Sequence, residues 1–72
     1  MTTTTFDEEV LNTEIRKFLK RVGITSQREI EMAVRRMAND GRLPTAPLAV
    51  EMVLSVPGLE LTHRVDGEIA LS

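Results

Sequence analysis

Apolar residues recur along the first part of the chain at intervals of three and four. Phe6, Val10, Leu11, Ile15, Phe18, Leu19 and Val22 therefore share one helical face. The spacing predicts a helix over about 6–22. Thr5 with Glu8 has the form of a capping box, and Asp7, Glu8 and Glu9 suit the positive end of a helix dipole. Gly23 followed by apolar Ile24 predicts a stop. Ser26 with Glu29 then opens a second predicted helix over about 27–39, with Ile30, Ala33, Val34, Met37 and Ala38 on its apolar face. Asn39-Asp40-Gly41 closes it. Met32 lies off the stripe.

After a loop punctuated by Pro44 and Pro47 the period changes. Leu48, Val50, Met52, Leu54 and Val56 alternate with Ala49, Glu51, Val53 and Ser55, which predicts a strand over 48–56. Beyond Pro57-Gly58 the alternation sharpens. Leu59, Leu61, His63, Val65, Ile69 and Leu71 take one face, and Glu60, Thr62, Arg64, Asp66 and Glu68 the other. This predicts strand over about 59–71. Pairing Val56 with Leu59 also pairs Leu54 with Leu61 and Met52 with His63, so the apolar faces match. An L-proline before glycine fits a tight two-residue hairpin poorly. Either the loop is wider, or the strands separate and one pairs with another chain. Val65-Asp66-Gly67 leaves a second choice, between one long strand and a turn into a short third strand over 68–71.

The expected fold is therefore α+β: two N-terminal helices followed by an antiparallel hairpin or three-stranded meander, with the helices on one sheet face. With 72 residues the chain is expected to be one small domain, frayed over 1–5. Such a chain has little core and needs a staple. It has no Cys, which removes disulfides and thiolate metal sites, and a single His makes a zinc site unexpected. No metal and no cofactor are expected. Oligomerisation is the remaining device, and a small sheet has two open edges. A homodimer paired or swapped through its strands is the leading expectation, with Leu48, Val50, Met52, Val53, Leu54, Ile69 and Leu71 as interface residues. No stretch has the length of a membrane helix, and no signal peptide is visible, so cytoplasm is the expected compartment.

The net charge of −2 hides a pattern. Residues 1–15 sum to −4, residues 16–42 to +5 and residues 43–72 to −3. Arg16, Lys17, Lys20 and Arg21 end the first predicted helix, and Arg35 and Arg36 end the second, where cations complement the dipole. Together with Arg28 these residues form the candidate nucleic-acid surface of a winged-helix-like order, helix, helix and hairpin wing. Acidic Glu60, Asp66 and Glu68 in the wing, Glu29 and Glu31 opening the second helix, and a pI near 5.3 argue against it. His63, on the apolar strand face, is expected to be a core or interface residue. No nucleophile–base pair, convergent carboxylates or phosphate-cradling glycines are visible, so an enzyme is not expected.

The segment Ile15-Arg-Lys-Phe-Leu-Lys-Arg-Val-Gly-Ile-Thr-Ser-Gln-Arg-Glu-Ile-Glu-Met-Ala-Val34, with the closing Gly58-Leu-Glu-Leu-Thr-His-Arg-Val-Asp-Gly-Glu-Ile-Ala-Leu71, resembles a family of short, uncharacterised bacterial proteins. The resemblance implies a free-standing small bacterial protein and no known activity or site. The expected function is association with an unknown protein partner or with a second copy.

Overall fold

The computed structural model describes residues 5–72, and the chain divides into two compact units, Met1–Gly41 and Arg42–Ser72. Four of the five residues expected to fray lie outside the described part.

The first unit is one helix, α1, Glu8–Asn39. At 1.5 Å per residue its 32 residues span about 48 Å. It starts two residues later than the Thr5 capping box implies. Asp7 is extended and its carboxylate accepts from the amides of Glu9, at 2.9 Å, and Val10, at 3.1 Å. Two otherwise orphaned donors are thereby satisfied. The helix ends where expected. Asp40 donates to the Arg36 carbonyl and Gly41 to that of Ala38, with Gly41 at a φ of +71°. That left-handed conformation is the one a helix-ending glycine supplies without strain.

The expected pair of helices is corrected here: nothing breaks at Gly23. Its φ is not positive, and the helix continues through Ile24, Thr25 and Ser26. A helical stop needs the glycine in the left-handed region, and only Gly41 adopts it. Within a helix Gly23 costs about 1 kcal/mol relative to alanine, which uninterrupted backbone bonding on both sides can sustain. Thr25, expected in the link, turns its hydroxyl back to the Arg21 carbonyl at 2.8 Å. Ser26 is a half-buried helical residue and not a cap. With one helix, the expected two-helix layer does not exist.

The second unit is an antiparallel two-stranded sheet of β1, Leu48–Val56, and β2, Leu61–Ile69. Nine residue pairs run from Leu48↔Ile69 to Val56↔Leu61. The register is two residues away from the one that pairs Val56 with Leu59. A shift of two conserves the faces, so the apolar side is still apolar. Pro57 explains the shift. A two-residue hairpin loop needs positive φ at its first position, which proline cannot adopt. Pro57–Leu59 instead form a 3₁₀ turn closed by the Glu60 amide on the Pro57 carbonyl at 3.0 Å, and Glu60 takes the left-handed conformation, φ 52° and ψ 38°. The loop is four residues wide.

The alternative third strand is also corrected. β2 runs straight through Asp66 and Gly67, opposite Glu51 and Val50. Gly67 has no positive φ, so the turn it would have served is not made. The strand is shorter at both ends than 59–71, because Leu59 belongs to the loop and Leu71 lies beyond the last pair.

The two helical glycines make opposite predictions. A Cβ added at Gly23 meets nothing within 4 Å, so Gly23→Ala should raise stability by about 1 kcal/mol. Gly41→Ala, at positive φ, should lower it by about 1 kcal/mol. Thermal unfolding followed by circular dichroism reads both. A loss at Gly23 would mean that the helix breaks there.

Candidate association surfaces and basic face

Because α1 is continuous, its apolar positions form one line. Leu11, Val22 and Ala33 are spaced by eleven residues, as are Ile15, Ser26 and Met37. Phe18, Leu19 and Ile30 fill between them. At 100° per residue all nine fall in a sector about 120° wide. Eleven residues make just over three full turns, so the line stays nearly parallel to the helix axis. None of the described residues in either unit is buried. Leu11 and Ile15 are each 46% exposed, Phe18 44% and Leu19 52%. Val22, Val34 and Met37 are half-buried.

The basic residues are rearranged by the same continuity. Arg16, Lys17, Lys20 and Arg21 sit in the middle of a helix, several turns from its C-terminus. The dipole account, which acts within the last turn, therefore covers only Arg36. Lys17, Lys20, Arg28 and Arg35 lie on the side opposite the apolar line, with Ile24 and Glu31 among them, and Arg21 lies between that side and the line. Arg16 and Arg36 fall outside that sector. Lys17 pairs with Glu14 at 3.1 Å, both well exposed, and the Arg21 guanidinium lies 5.6 Å from the centre of the Phe18 ring.

The hairpin separates its faces clearly. Leu48, Val50, Met52, Leu54 and Ile69 of the expected interface share one side with Val56, Leu61, His63 and Val65. Leu71, past the strand end, is half-buried. Val53 is on the other side, 57% exposed and opposite Arg64. His63 faces Leu54 on the apolar side and is exposed, so it is not a core residue of the hairpin.

The polar side holds an arrangement that periodicity does not reveal. Glu51 and Asp66 are direct cross-strand partners, a like-charge pair. Arg64 joins them. Its Nε donates to Asp66 Oδ1 at 2.9 Å and its Nη2 to Glu51 Oε2. The shallow depression there is lined by Glu51, Arg64, Asp66 and Glu68, all exposed. An open ion triad of this kind shields like charges; it does not create the apolar enclosure that acid–base chemistry asks of a carboxylate. Register knowledge alone would have found it, since the pairing of Glu51 with Asp66 depends on the four-residue loop. Among the described residues no group of three or more His, Cys, Asp or Glu could hold a metal ion, and no helix is long and apolar enough to cross a membrane.

These features define a small α+β chain that presents an apolar helix line and an apolar sheet face. A family model described as a family of unknown function, DUF6494, matches residues 6–72, and the chain belongs to that family. Comparison with curated proteins and with solved structures finds no match.

Arg64→Ala is expected to cost up to about 1 kcal/mol, since the pairs are exposed and the like charges lose their bridge. The loss should shrink as salt is raised, because the bridge and the repulsion are both screened. Urea unfolding at low and high salt measures it. A salt-independent loss would assign the effect to packing of the arginine stem.

Proposed function

We propose that this protein is a non-enzymatic association module that works as a homodimer. The observation that carries the reading is the continuous apolar line from Leu11 to Met37 on a helix with no interior of its own. Helix propensity alone leaves such a segment marginal, and tertiary or quaternary packing of its apolar face supplies the rest. A second copy offers the same line. The hairpin adds a further contact surface through its apolar face, with Leu48, Val50, Met52, Leu54, Ile69 and Leu71, and through its two outer edges, where strands of two copies can pair or exchange. The lack of Cys suits a reducing compartment, and we assign the protein to the bacterial cytoplasm.

Size-exclusion chromatography with light scattering tests the reading. The expected mass is that of two 8.1 kDa chains at micromolar concentration. Phe18→Asp, which places a charge in the middle of the line, should yield single chains with reduced helix content. A wild-type mass of one chain would end the proposal.

One observation favours a second reading, nucleic-acid binding. Lys17, Arg28 and Arg35 follow one another along the back of α1, over about 27 Å, with Arg21 beside them. This geometry belongs to a single basic helix, and the winged-helix order falls with the second helix. Fluorescence anisotropy with duplex DNA decides it. Binding that weakens steeply with salt, and less steeply in Arg28→Gln with Arg35→Gln, supports the reading. No binding at low salt dismisses it.

A further inference from the structure

We infer that two copies of α1 pair antiparallel, crossing near Ile24. The inference rests on the homodimer reading and adds its geometry. Three features of the helix point the same way.

The first is size. The N-terminal half of the apolar line carries Leu11, Ile15, Phe18 and Leu19, and the C-terminal half carries Ser26, Ile30, Ala33 and Met37. A parallel, in-register pair would set Phe18 against Phe18 and Ala33 against Ala33, crowding one end and leaving gaps at the other. Both errors cost stability in a close-packed interface. Reversal about residue 24 sets Leu11 against Met37, Ile15 against Ala33, Phe18 against Ile30 and Val22 against Ser26. Each contact then joins the bulky half to the lighter half.

The second is charge. Glu14, Arg21, Glu29 and Arg36 succeed one another at intervals of seven, eight and seven residues along one edge of the apolar line, Glu29 and Arg36 at the same angles as Leu11 and Phe18 and the other two just outside. Their signs alternate. In an antiparallel pair with a perpendicular two-fold axis, a flank meets the same flank of its partner in reverse order. Glu14 then lies near Arg36 of the second copy, and Arg21 near Glu29. Both pairs are symmetric about residue 25, within one residue of the apolar centre. In a parallel pair this flank meets the opposite flank of the partner, so neither the Glu14–Arg36 nor the Arg21–Glu29 pair forms. The Arg21 guanidinium already lies against the Phe18 ring, at the border of the apolar line, where such a contact needs it.

The third is the crossing itself. Gly23, Thr25 and Ser26 surround the centre, and the Thr25 hydroxyl is turned inward onto the Arg21 carbonyl. Small side chains at a crossing allow close approach of two helices. An eleven-residue period keeps the seam along the axis, so two straight helices stay in contact over the whole line without left-handed supercoiling.

Spin labels read the orientation in the full-length protein. The chain has no Cys, so each introduced thiol is unique. Asn12→Cys and Thr25→Cys are labelled separately, and the distance between copies is measured by pulsed dipolar spectroscopy. Light scattering on the same samples reports the mass. Antiparallel pairing places the two labels at 12 about 36 Å apart along the axis and those at 25 about 3 Å apart. A long distance at 12 with a short one at 25 is expected. Short distances at both would mean parallel helices, and long distances at both a dimer that joins elsewhere. Either overturns the antiparallel pair while the homodimer stands. A mass of one chain removes both.

Discussion

The apolar line from Leu11 to Met37 is the constraint on which the rest depends, because a helix has no inside in which to place it. A two-stranded sheet taken by itself has none either. In a larger protein these two elements would be parts of a layer, covered by neighbours further along the chain. Here the described residues form one long helix and one hairpin. The burial that normally stabilises a fold is not found among the described residues of either unit. The proposed homodimer rests on that shortage more directly than on any single residue.

Continuity of the helix changes the meaning of its polar residues as much as that of its apolar ones. Taken as the ends of two short helices, Arg16, Lys17, Lys20 and Arg21 need no explanation beyond dipole compensation. In the middle of one long helix they do need one. Lys17 and Lys20 move to the back face, and Arg21 comes to the border of the apolar line, beside Phe18. The charges thus become positional information, a mainly basic back face and an edge of alternating sign.

Much of this was legible in the residues. The helical period, the Gly41 stop, the limits of β1 and the division of both strands into faces all follow from spacing that local physics reads directly. Three things did not. Gly23-Ile24 and the Ser26–Glu29 pair carry the local marks of a stop and a start, yet such marks state only what the backbone could do; whether it bends depends on the helix continuing to bond on both sides. The Thr5–Glu8 box lost to Asp7, two residues later, because an extended aspartate can satisfy two amides at once. The Glu51–Arg64–Asp66 cluster was hidden because alternation assigns faces but leaves the register open by any even number of residues.

That last ambiguity gives the loop an unexpected weight. Two registers, two residues apart, match the apolar faces equally well, and in the discarded one Arg64 would sit directly opposite Glu51. Side-chain pairing is therefore nearly indifferent between them. The choice falls to Pro57, whose ring forbids the tighter turn, and to Glu60, which accepts a left-handed backbone to close the wider one. Four residues at the tip carry the decision that the nine pairs behind them leave open. The hairpin is, in this sense, addressed from its turn, and its ion triad is a product of that address.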